Sequence, residues 1–139
     1  SSAASDVYKR QFLNDRRVRV SGRTRYHEAL LGAHWPSAGD PEQGSQRFRQ
    51  MAEGATGVRR LGATVLDLAY VACGRLDGFC GVGLKPWDLA AGSLMVLEAG
   101  GLIADFDGEQ GWMDSGNVLA ASPKIFTQML TSLNPPSAA

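Results

Sequence analysis

Apolar positions fall along this chain in short blocks whose spacing shifts between the strand period and the helix period, with Gly, Pro, Asn and Asp marking the breaks. Phe12-Leu13 and Val18-Arg19-Val20 flank Asn14-Asp15, so residues 11–21 are expected to form a hairpin turning at that pair. Ala29-Leu30-Leu31-Gly32-Ala33 is a short apolar run expected to be a buried strand. Residues 36–44 have the composition of a loop, and Glu42 to about Glu53 suits a helix with Phe48 and Met51 inward and Arg47, Arg49 and Gln50 outward. Thr64 to Ala72 is apolar nearly all round and predicts a sandwiched helix that stops at Gly74.

Leu76 to Val82 predicts a strand, and a second apolar helix runs from Asp88 to Gly100-Gly101. Leu102 to Phe106 alternates into the turn Asp107-Gly108, and Val118-Leu119-Ala120-Ala121 predicts another strand. Pro123 opens a last amphipathic helix with Ile125, Met129 and Leu130 on one face, and residues beyond Leu133 are expected to fray. Strands alternating with helices imply an α/β layered domain. Nothing in the sequence repeats internally.

The length of 139 residues is one domain's worth, enough for a real core. A formal net charge of zero gives no electrostatic case for nucleic acid or an acidic membrane surface. Arg16, Arg17, Arg19, Arg23 and Arg25 cluster early and suit a solvated strand face. Cys73 and Cys80 lack companion zinc ligands, since His27 and His34 are remote in sequence, and buried free thiols of a cytoplasmic protein are expected. Each apolar run is broken by Asp, Arg or Lys before it could span a bilayer. Residues 1–11 have no apolar region of a signal peptide and are expected to be a non-native or disordered leader, with the domain at 12–133 and a frayed tail at 134–139.

The most informative stretch is Trp87-Asp88-Leu89-Ala90-Ala91-Gly92, continuing to Gly100-Gly101. Asp88 suits the N-cap of the apolar helix, where its carboxylate accepts an orphan backbone N–H. The positive end of a helix also receives phosphate, and a carboxylate beside an anion calls for a cation, for which Mg²⁺ is the usual choice. An Asp before a helix is most often a cap and nothing more.

The whole string, however, resembles the C-terminal signature of the inositol monophosphatase family, in which the Asp of Trp-Asp binds the catalytic metals. Leu66-Asp67-Leu68-Ala69-Tyr70-Val71-Ala72, Gly74-Arg75-Leu76-Asp77-Gly78-Phe79 and Gly83-Leu84-Lys85-Pro86-Trp87-Asp88 resemble consecutive blocks of its bacterial members. The resemblance covers about Phe12 to Leu133 and implies the C-terminal layered domain of the sugar-phosphatase fold, a mixed sheet flanked by helices. It further implies a Mg²⁺-dependent phosphate monoester hydrolase, a small phosphate monoester as substrate, and a homodimer in the intact form. Asp88 would bind metal as the catalytic ligand, while Gly62, Ala63 and Thr64 match the residues that touch the sugar or inositol ring. Read only as residues, Gly62 to Thr64 is a turn that caps a helix.

Three acids stand outside that assignment. Asp67 lies inside an apolar helix and is expected to form a buried pair with Arg59 or Arg60. Asp77 suits a turn or the start of a strand. Glu98, in the last turn of its helix, calls for a fixed partner.

The chain departs from the family pattern at Gly81, seven residues before Asp88, where many members carry a Glu that contacts substrate hydroxyls. Ring recognition is therefore expected to differ, which leaves histidinol phosphate, nucleotide 3′-phosphates and fructose bisphosphate open as substrates. The family's Glu-bearing motif and its Asp-Pro-x-Asp-Gly-Thr motif do not occur, for Asp40-Pro41 is followed by Glu42-Gln43-Gly44. Metal-assisted hydrolysis needs several carboxylates. The expectation is a fragment lacking its N-terminal half and inactive alone. The alternative is a non-catalytic domain for dimerisation or partner binding.

Overall fold

A computed structural model describes residues 11–13, 16–34 and 41–135. Strands β1 (Gln11–Leu13) and β2 (Arg16–Val18) pair antiparallel as a hairpin whose Asn14-Asp15 turn lies outside the described residues. The second strand is Arg16–Val18 and not the expected Val18-Arg19-Val20, for Val20 leaves the ladder and donates its N–H to the Ala99 carbonyl. A single 3-10 turn at Tyr26–Glu28 leads into β3 (Leu30–His34). Helix α1 (Pro41–Gly54) begins inside the segment expected to be a loop, because Pro41 needs no helical N–H donor in a first turn. The rest of that loop and the leader lie outside the described residues.

The chain continues through β4 (Gly57–Arg59), α2 (Thr64–Ala72), β5 (Gly78–Gly81) and α3 (Pro86–Glu98). It ends with β6 (Leu102–Ala104), a short α4 (Trp112–Ser115), β7 (Val118–Ala121) and α5 (Pro123–Leu133). β4 and α4 carry no legible pattern, being three and four residues long.

Five strands form a mixed sheet in the order β4-β3-β5-β7-β6. β3 runs parallel to β4 and β5, whereas β7 is antiparallel to β5 and β6. Side chains alternate across the sheet. Leu31, Cys80, Leu119 and Ala121 pack on one face with Met51 of α1 and Ile125, Met129 and Leu133 of α5. Phe79, Val118, Ala120 and Ile103 pack on the other face with Leu68 and Val71 of α2 and Leu89 and Val96 of α3. The result is a three-layer α/β domain, as the alternation of elements implies. Among the described residues no helix is long and apolar enough to cross a membrane.

α2 is not sandwiched. Val65 and Leu66 on its outer side are exposed, since helices cover the sheet in a single layer. Its partner is α3, and the two approach closely because position 92 is glycine. A Cβ there would stand 2.5 Å from Leu68 Cδ1 and 2.8 Å from Leu68 Cβ. Gly74 ends α2 as expected, with φ of 79° and its N–H donated to the Val71 carbonyl.

Asp77 does more than serve a turn. Its carboxylate accepts hydrogen bonds from Ser21 Oγ, from Arg23 Nε at 3.2 Å and from the Leu30 N–H at 2.7 Å. One buried acid thus fastens the segment after the hairpin to the start of β3 and the entry of β5. Arg23 is accordingly held by Asp77 and Glu28 rather than standing on a merely solvated face.

Candidate functional site

Parallel strands place their carboxyl ends together, and helices that follow such strands begin there. In this chain β3 ends at His34, β4 at Arg59 and β5 at Gly81, while α2 starts at Thr64 and α3 at Pro86. A cleft opens at that edge, lined by His34, Gly62, Ala63, Thr64, Val65 and Asp88. Two helix N-termini therefore border one concavity, and each carries partial positive charge, although at α3 Pro86 has no N–H and the Asp88 and Leu89 N–H groups are donated to the Lys85 carbonyl.

The loop before α2 makes its turn at Gly62, whose φ of 81° lies in the left-handed region that favours glycine. Among the described residues, its chain neighbours aside, no atom stands within 4 Å of where its Cβ would be, which leaves room for a ligand to approach the backbone. Ala63 is the N-cap of α2 and makes no side-chain cap, and Thr64 is the first helical residue rather than the cap. Gly62, Ala63 and Thr64, expected to share a site with Asp88, do line one cleft with it.

Asp88 is not the N-cap of α3. The helix starts two residues earlier because Pro86 occupies its first turn and Lys85 the cap position, which places Asp88 third in the helix. Its half-buried carboxylate has no hydrogen-bond or ion-pair partner among the described residues. A carboxylate facing a cleft beside the positive ends of two helices has the chemistry of one ligand in a hard-cation site. No group of three or more His, Cys, Asp or Glu converges among the described residues.

Two other acids depart from expectation. Asp67 is fully buried, yet neither carboxylate oxygen finds a hydrogen-bond partner among the described residues, so the pair with Arg59 or Arg60 does not form. Arg59 instead reaches the Val58 carbonyl. Burial pushes the Asp67 carboxyl from the usual 3.8 up to about 6. The side chain packs over Gly32, where a Cβ would stand 2.7 Å from its Oδ1. Glu98, at the end of α3, has no fixed side-chain partner among the described residues. Of the thiols, Cys80 is buried as expected and Cys73 only half-buried, and both are free.

His34 and Val65 line the cleft as well, although neither stands among the expected site residues; His34 is the polar one. It closes β3 directly after the apolar run and lies two positions from Gly32, hence on the same face of the sheet. Counting that alternation one step beyond the apolar run would have placed it at the cleft.

The inositol monophosphatase family model matches residues 2–135. An inositol-1-monophosphatase of Mesorhizobium japonicum is 43% identical over 130 residues, covering 92% of this chain and 49% of that protein. A Nus factor SuhB of Pseudomonas aeruginosa is 44% identical over 127 residues, covering 88% of this chain and 47% of its own length. The crystal structure of the extragenic suppressor protein SuhB from Bartonella henselae superposes with a TM-score of 0.86 at 38% identity, covering 90% of this chain and 48% of that one. This chain spans about half the length of the curated relatives it matches.

Proposed function

The chain belongs to the inositol monophosphatase family, and we propose that it contributes one wall of a Mg²⁺-dependent phosphate monoester hydrolase site. The observation that carries the reading is the position of Asp88, a carboxylate without a side-chain partner among the described residues, in one cleft with Gly62, Ala63 and Thr64. Asp88 would hold Mg²⁺, which when bound supplies charge to the developing phosphate oxygens and acidity to a water.

The chain's own groups do the rest. The positive end of the α3 dipole, with the Trp87 N–H left unbonded beside Pro86 among the described residues, favours the phosphate there without reorganisation. Gly62 and Ala63 present backbone to the alcohol portion of the ester, and the Thr64 hydroxyl adds a donor and an acceptor there. A single carboxylate does not assemble the whole reaction. Turnover by this chain alone is therefore expected to be negligible, with further acidic ligands supplied from outside it.

Calorimetric titration with Mg²⁺ tests the assignment. Asp88→Asn keeps the shape and removes the charge, so it should weaken Mg²⁺ binding at least about tenfold. Equal affinity in the two proteins would sink Asp88 as a ligand. Rapid phosphate release from inositol 1-phosphate by the chain alone, abolished in Asp88→Asn, would overturn its dependence on outside carboxylates.

A second reading is partner binding without catalysis. It is favoured by exposed Val65 and Leu66 on α2 and exposed Trp87, Leu94 and Leu97 on α3, and by relatives named Nus factor SuhB. Large exposed apolar residues on neighbouring helices suit a protein interface, and a second copy of the chain is one occupant. Sedimentation that shows a monomer at all concentrations would remove self-association from this reading.

A further inference from the structure

We infer that His34 selects the alcohol portion of the substrate, favouring phosphate esters that carry a second anionic group over esters of neutral polyols. The inference rests on the phosphate-ester reading above. Its starting point is a register. His34 and Gly81 are Cα partners at the carboxyl ends of the parallel strands β3 and β5, so their side-chain positions lie next to each other on the cleft side of the sheet.

Position 81 brings no side chain to that edge, and the space beside it is already filled. A Cβ on Gly81 would stand 2.6 Å from Leu84 Cδ1 and 2.9 Å from the Phe79 ring. The acceptor that the family pattern carries at this position is therefore replaced by apolar packing. His34 stands across the strand pair from it, half-buried, and lines the cleft with Gly62, Ala63, Thr64 and Asp88. Its backbone carbonyl is fixed by the Val82 N–H at 3.1 Å, which holds the strand end in place. Among the described residues the imidazole makes no side-chain hydrogen bond or ion pair that would compete with a ligand for its ring nitrogens.

The exchange changes the chemistry of recognition. An ionised carboxylate only accepts hydrogen bonds, which suits hydroxyl groups and repels a second anion. An imidazole offers a donor in its neutral form, and two donors with a positive charge when protonated. Hydrogen bonds from such a donor to a phosphate or carboxylate oxygen are charge-assisted and stronger than those to a hydroxyl. With Asp88 committed to the cation, His34 is the side chain in the cleft lining that can favour an anion.

The chain contains two histidines, and His27 is an internal reference, exposed on the 3-10 turn beside Glu28. The experiment follows histidine ring signals and the backbone amides of residues 62–64 by NMR in the full chain with Mg²⁺. The probes are inositol 1-phosphate and fructose 1,6-bisphosphate. Both should move the amides, but the bisphosphate should shift the His34 ring, leave His27 in place, and bind about tenfold more tightly. In His34→Ala the two affinities should converge, while His34→Gln, which keeps a donor, should retain part of the preference. An affinity ratio unchanged in His34→Ala overturns the inference and leaves the phosphate-ester reading standing. Amides that respond to neither probe overturn that reading and the inference with it.

Discussion

Asp77 and Leu30 grip each other twice. The Asp77 carboxylate accepts the Leu30 N–H at 2.7 Å, and the Asp77 N–H donates to the Leu30 carbonyl at 2.8 Å. The pair sits at the start of β3 and just before β5, so it fixes the two strands whose far ends carry His34 and Gly81.

Replacing Asp77 with Ala removes the acceptor for Ser21, Arg23 and Leu30 together and leaves a buried N–H without its partner. The expected cost is about 2–4 kcal/mol, set by the loss of bonds to a charged group and the burial of an unpaired donor. Urea unfolding followed by tryptophan fluorescence reads it. A change below about 0.5 kcal/mol, the size of an ordinary surface substitution, would show that the carboxylate is dispensable.

Gly92→Val should destabilise the domain by about 1–3 kcal/mol, because the added atoms meet the body of Leu68 and not only its tip. Leu68→Ala alone should also destabilise, by opening a cavity. Combined, the two substitutions should cost less than the sum of their separate effects, since the new side chain occupies the vacated space. Strict additivity in the unfolding data would separate the two positions.

Asp67 predicts a pH dependence of definite sign. Its carboxyl is raised from 3.8 to about 6 by burial, so between those values the folded protein holds a proton that the unfolded chain releases. Its contribution to stability is therefore fully present below 3.8, declines as pH rises to about 6, and stays at its lower level above that. Asp67→Asn should flatten this portion of the curve and be relatively more stable at pH 8 by about 1–3 kcal/mol, the free energy of a shift of that size. Parallel curves for the two proteins between pH 4 and pH 7 would rule the carboxyl out.

The two thiols should react unequally. Cys80 lies buried in the sheet, and burial pushes its thiol up to about 12, whereas Cys73 is half-buried at the end of α2. Iodoacetamide at pH 8 should modify Cys73 first and reach Cys80 only on unfolding. Mass spectrometry of the labelled native protein checks this, and equal labelling would place Cys80 in contact with solvent.

Thr64–Ala72 and Val118–Ala121 form over the residues their patterns predict, because period, glycine and proline signals are local. The cleft was partly legible too, since Gly62, Ala63, Thr64 and Asp88 stand in the residue blocks that mark the family and do come together. Asp88 was misplaced as a cap because Pro86 competes for the helix start, a choice between two good local signals. Among the described residues Glu98 and Asp67 lack the partners expected of them, for a charge pattern along a helix does not show which cation can reach it.

By itself the sequence determined the order of most elements, the α/β class and the family. Each follows from interactions between near neighbours in the chain, or from a string of residues read whole. Tertiary structure alone decided what meets across long separations. Ser21 and Asp77 are 56 residues apart and Leu30 and Asp77 are 47 apart, and no local spacing encodes either contact. The register that sets His34 beside Gly81 is of the same kind. It depends on how one strand slides against another, and that is fixed by the burial of a whole sheet face between two layers of helices.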